Sequence, residues 1–127
     1  MRLMAIDFGS KRVGIASTDE TGQFALPRAT FPNDDTLLEK VLEFKESDKA
    51  EKVIIGESKN LDGRPNPIQE EIAKFKSLLE ERGVEVKYHP EIYTSVEARH
   101  IQGGSDMTDA SAAALILKSF LESVYNK

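Results

Sequence analysis

Asp7, Glu57 and Asp109 are three carboxylates whose places in the apolar pattern carry them toward one edge of a sheet. Residues 3 to 6 are uniformly apolar, as in a strand covered on both faces, and Asp7 falls where that strand leaves the sheet. Gly9 and Ser10 then suit a tight turn, Gly9 through its access to positive φ, and Val13 to Ala16 read as the returning strand. Val53-Ile54-Ile55 is β-branched, as a buried parallel strand prefers, and it ends on Glu57. Asp109, Ala113, Ile116 and Phe120 recur at helical spacing, so Asp109 continues an apolar stripe and points inward. The small residues Ala110 to Ala114 let that helix approach the sheet closely, which would bring Asp109 near Asp7. The alternatives are a first-turn acid stabilised by the helix dipole for Asp109, and a carboxylate capping the following turn for Glu57.

Three converging carboxylates cannot all stay ionised without a cation, and oxygen-rich sites suit Mg²⁺ or Mn²⁺. In a two-metal arrangement, ions roughly 3.5–4 Å apart stabilise the attacking and leaving oxygens of a phosphodiester displacement. Asp7, Glu57 and Asp109 are therefore the candidate metal ligands. The chain has no cysteine, which removes thiolate sites and disulfides. Its net charge of -5 argues against a general nucleic-acid-coating role, because sequence-independent affinity comes from Lys and Arg on phosphates. A local basic rim remains. Lys11 and Arg12 follow the Asp7 turn, and Lys59 and Arg64 lie in the loop that follows Glu57, so these four are the candidate phosphate contacts. Solvated surface charge is the alternative for each of them.

The elements that must position these groups follow from periodicity. Residues 2 to 7, 11 to 18 and 23 to 31 read as an antiparallel meander. Helices are expected over 34–46, 67–82 and from Thr108, and strands over 52–57 and 84–88. Right-handed crossovers place the strand ending at Glu57 parallel to the first strand and beside it. The fold expected is α/β, a five-stranded mixed sheet with a β1-β2-β3 meander followed by a parallel βαβαβ unit. At 127 residues the chain reads as one domain, 1–127. A strand-Asp-x-Gly-turn-strand opening is shared by RNase H-like nucleases and actin-like phosphotransferases. The latter need two such domains, so length favours the nuclease branch. No apolar run approaches the roughly 20 residues of a membrane span, and a cytoplasmic protein is the default expectation.

Four blocks resemble the YqgF/RuvX family: Asp7-Phe-Gly-Ser-Lys-Arg-Val-Gly-Ile-Ala16, Asn60-Leu-Asp-Gly63, Val86 to Glu91 with Thr94 to Ala98, and Thr108-Asp-Ala-Ser-Ala-Ala113. The resemblance runs in order along essentially the whole chain. It implies an RNase H-like fold similar to RuvC-type Holliday junction resolvases, and a nuclease acting on pre-16S ribosomal RNA or on branched DNA. It also implies Asp7 as the first acid, Glu91 as the acid of a central block and Asp109 as the final acid. Glu57 and Glu91 then both stand as the middle catalytic acid. Where the family carries Gly-Leu-Pro this chain has Gly56-Glu57-Ser58, and the block around Glu91 reads Pro90-Glu-Ile-Tyr-Thr-Ser95, without the family's Asp and Arg. The other reading is a ribosome-assembly or RNA-binding factor that keeps the fold without activity. A resolvase would be expected to act as a dimer. The expected state is a monomer or a homodimer.

Overall fold

The computed structural model describes residues 2–57, 67–90 and 108–125. Strands β1 (Leu3–Phe8), β2 (Arg12–Thr18), β3 (Ala25–Pro32), β4 (Lys52–Glu57) and β5 (Val86–Pro90) form one sheet in the order β3-β2-β1-β4-β5. The first three pair antiparallel, and β1, β4 and β5 pair parallel. This is the expected meander followed by two crossovers. The helices among the described residues are α1 (Leu37–Asp48), α2 (Pro67–Glu81) and α3 (Thr108–Tyr125).

Strand alternation divides the core in two. Met4, Ile6, Val13, Ile15, Val53 and Ile55 face α1 and α2, where they meet Leu37, Val41, Ile72, Phe75 and Leu79. Leu3, Ala5, Ala16 and Ile54 face the other way, onto Ala113, Ile116, Leu117 and Leu121 of α3. Helices on both faces explain why residues 3 to 6 carry no polar alternation. Each fully buried Ile or Leu stabilises the fold by roughly 1.5–3 kcal/mol relative to its exposed state.

Local chemistry shifts some boundaries from the periodic pattern. Helix α1 begins at Leu37 rather than 34, because Asp34 is used in a turn ahead of it. Its carboxylate accepts from the Thr36 backbone N–H at 2.9 Å and the Thr36 hydroxyl at 2.6 Å, while its carbonyl accepts from the Leu37 N–H. Strand β5 begins at Val86 rather than 84. The Val84 N–H still bonds back to the Leu79 carbonyl at the end of α2, and Gly83 turns the chain there at φ 82. At the start of β1 a side chain extends the ladder: the buried Leu3 N–H donates to the Thr18 hydroxyl at 3.1 Å.

Two outcomes are expected. Thr18→Val keeps the shape but strands the Leu3 N–H, and should lower stability by about 1–3 kcal/mol in urea unfolding, with an unchanged m value. The Thr36 hydroxyl and N–H hold the Asp34 carboxyl below its ordinary 3.8. A carboxyl lowered in the folded state contributes stability that is complete above 3.8 and lost as pH falls through the folded value. Thermal midpoints of Asp34→Asn should therefore fall less steeply than those of the parent below that pH.

Candidate active site

Asp7 is the next-to-last residue of β1, and its parity is that of Leu3 and Ala5, so it faces α3. It is only 7% exposed. Its antiparallel partner is Gly14, which lies under the first turn of α3. A Cβ on Gly14 would collide with the Asp109 carbonyl and stand 2.7 Å from the Ala110 nitrogen. Only a residue without a side chain lets the helix backbone rest on β2 here. Neighbouring strands lie about 4.8 Å apart, so that contact carries Asp109 to the strand beside Asp7. Asp109 is 8% exposed and sits in the first turn of α3. The inward stripe of Asp109, Ala113 and Ile116 is thus realised, with Leu117 and Leu121 completing it.

Arg12, expected as a phosphate contact, places its Nε 3.0 Å from Oδ2 of Asp109. The two charges touch without hydrogen-bond alignment, since that buried oxygen has no hydrogen-bond partner. The Arg12 backbone is held firmly by the Gly9–Arg12 turn. The Gly9 N–H donates to the Arg12 carbonyl at 3.0 Å, the Asn33 side-chain amide donates to the Gly9 carbonyl at 2.8 Å, and the Asn33 N–H donates to the Lys11 carbonyl. Gly9 does not take the positive φ expected of it. Its requirement is steric, because a Cβ there would press on the Arg12 carbonyl. Lys11 is exposed on the same turn.

Glu57 does not join the pair. Ile6 is level with Ile55, so the residue level with Asp7 is Gly56, one position short of Glu57. Glu57 has the parity of Val53 and Ile55, the α1/α2 side, whereas Asp7 has that of the α3 side. Asp7, Glu57 and Asp109 accordingly form no three-carboxylate cluster, nor does any other such group occur among the described residues. Glu91, Lys59 and Arg64 lie outside the described residues. His89, in β5, faces α3: its Nε2 is 2.8 Å from the Ser119 hydroxyl, and its ring stands edge-on to Phe120. Burial holds the His89 imidazole below its ordinary 6.5. It is a packed histidine.

Sequence reasoning missed Gly14 and the Arg12–Asp109 pair. A glycine directly across an antiparallel ladder from an acid was the available signal for the first. The donor set that results suits a hard divalent cation: two buried carboxylates, one of them with an oxygen that lacks a hydrogen-bond partner.

The β3-β2-β1-β4-β5 sheet, covered by α1 and α2 on one face and α3 on the other, defines an RNase H-like fold. Two solved structures share it over nearly all of this chain. One is Thermus thermophilus RuvC in complex with a Holliday junction substrate, with TM-score 0.60, 16% identity, and coverage of 98% of this chain and 95% of that one. The other is the Fowlpox virus resolvase with substrate Holliday junction DNA, with TM-score 0.59, 15% identity, and coverage of 98% and 99%. The family model described as "RuvX: Holliday junction resolvase" matches residues 1–123. The chain belongs to this family. Its relatives include proteins named "Putative pre-16S rRNA nuclease". The one from Chlorobium phaeobacteroides (strain BS1) is 31% identical, covering 98% of this chain and 94% of the relative. That from Escherichia coli O139:H28 is 33% identical, covering 97% of each.

The Gly14 contact yields a sharp expectation. Gly14→Ala forces backbone movement at the start of α3 and should destabilise the protein by about 1–3 kcal/mol in chemical denaturation.

Proposed function

We propose that this chain is a divalent-metal-dependent nuclease that hydrolyses phosphodiesters of structured RNA, with the 5′ leader of pre-16S ribosomal RNA as its substrate. The observation that carries this reading is the convergence of Asp7 and Asp109 at the carboxyl end of β1, across Gly14. In open sheets with parallel strands, ligands bind at that edge. RNA is favoured over a DNA junction because the relatives named for ribosomal RNA are 31–33% identical over nearly full length, whereas the junction-bound structures are 15–16% identical. The likeness to those structures supports the fold alone. On this reading the chain works as a single cytoplasmic domain. None of the described helices is long and apolar enough to cross a membrane.

Asp7 and Asp109 would hold Mg²⁺ or Mn²⁺, with Glu91 or Glu57 as the third acid. Glu91 is preferred, because the register gives Glu57 the opposite parity to Asp7. A bound cation supplies the charge that stabilises phosphoryl oxygens as an in-line displacement develops. The chain's own part is electrostatic and positional. The Asp7 backbone is paired with Gly14 of β2, one residue beyond the last β1–β4 pair, and Asp109 is anchored by the helix backbone lying on Gly14, so both carboxylates are carried by backbone that is already in place when substrate arrives. Lys11, on the exposed turn beside Asp7, contacts the substrate phosphates, and Lys59 and Arg64 are assigned the same role.

The test is cleavage of a pre-16S rRNA 5′ leader and of a four-way DNA junction with Mn²⁺, comparing the parent with Asp7→Asn and Asp109→Asn. Each substitution should reduce RNA cleavage by roughly 100-fold or more, above the scale at which loss of groups supporting metal ligands already acts. Equal residual cleavage by all three proteins would mean a contaminant and would end the catalytic reading. Metal-independent RNA binding without turnover would instead identify an assembly factor, and preferential junction cleavage would reassign the substrate.

A further inference from the structure

We propose that Arg12 is an internal counter-cation for Asp109, occupying the carboxylate until a divalent cation binds, competing with that cation, and turning out to a substrate phosphate once displaced. The inference rests on the assignment of Asp109 as a metal-holding acid, and adds a residue that regulates access to it. The two partners differ greatly in exposure: the Asp109 side chain is 11% exposed and the Arg12 side chain 57%. Asp109 is thus fixed in the first turn of α3, against the sheet, while Arg12 can leave without dragging buried surface into water. The contact lacks hydrogen-bond alignment, and the Asp109 oxygen it faces is otherwise orphaned. Such an oxygen is neutralised by a nearby charge but has its lone pairs uncommitted, which leaves it open to a better ligand. The release need not disturb the backbone. The turn beneath Arg12 is fastened through Gly9 and Asn33, so only the side chain has to move.

A guanidinium that merely orients Asp109 would behave in the opposite way. Removing an orienting group weakens cation binding, whereas removing a competitor strengthens it, so the sign of the effect separates the two roles. A half-exposed pair is worth up to about 1 kcal/mol, which corresponds to about fivefold in affinity.

The experiment is calorimetric titration of the intact protein with Mn²⁺, in the parent, Arg12→Gln, Arg12→Lys and Asp109→Asn. Arg12→Gln should bind Mn²⁺ about fivefold more tightly than the parent, and Arg12→Lys, which keeps the charge, should stay close to the parent. Without metal, the thermal midpoint of Arg12→Gln should lie below the parent's, and saturating Mn²⁺ should close that gap. Equal or weaker binding by a folded Arg12→Gln, with normal affinity in the parent, would overturn the counter-cation role alone. Parent-like Mn²⁺ binding by Asp109→Asn, or no binding by any of the proteins, would overturn the assignment of Asp109 to metal and the counter-cation role with it.

Discussion

The site depends on a place where two backbones meet with no side chain between them. Gly14 sits across the β1–β2 ladder from Asp7, and the first turn of α3 lies directly on it. Everything that makes Asp7 and Asp109 unusual follows from that contact. It buries two acids side by side at a sheet edge, where each has lost most of its water, and it points the N-terminal end of a helix dipole at them. The dipole offsets part of the charge, on the order of 0.3–1 kcal/mol, which is small beside the cost of desolvating carboxylates. A full positive charge is needed, and Arg12 is the residue that the fold supplies.

The rest of the molecule can be understood as what holds α3 on that strand. Ala110, Ala112 and Ala113 are buried, and their small side chains keep the helix low over the sheet. Farther along, Ile116, Leu117 and Leu121 fill the space over Leu3, Ala5 and Ile54, anchoring the remainder of the helix by ordinary apolar burial. The opposite face has a different task. There α1 and α2 cover Ile6, Ile15 and Ile55 with large residues, making a conventional apolar core. On the proposed reading, the face with small residues over β2 carries the chemistry, because close approach and bulky packing exclude each other.

That division also explains what the sequence could reveal. Strand order, the two-sided burial of β1 and the inward stripe of α3 were legible, because each is a periodic signal spread over many residues. The position of Glu57 was not, since parity between neighbouring strands changes with a single step of register, and apolar runs such as Val53 to Ile55 contain no alternation to fix it. The α1 start was misplaced for a local reason: Asp34 resembles a cap in sequence but spends its carboxylate on Thr36. The Arg12–Asp109 pair joins residues nearly a whole chain apart, and no pattern within either segment encodes it. Of the expected site, Asp7, Asp109 and Lys11 stand where the pattern put them, and Arg12 stands beside an acid it was expected only to follow.

An acidic protein that handles a polyanion must confine its attraction for phosphate to a small area. With a net charge of -5, long-range repulsion opposes encounter, and only cations near the reacting edge can reverse it locally. If Arg12 were permanently free, the buried Asp109 would have no compensating charge until a divalent cation arrived. If it were permanently paired, it would add nothing to substrate affinity. Exchange between the two states resolves this conflict, because the cation that takes Arg12's place on Asp109 also releases Arg12 to the incoming phosphate. Metal and substrate then favour each other's binding through one side chain, and this coupling follows from linkage.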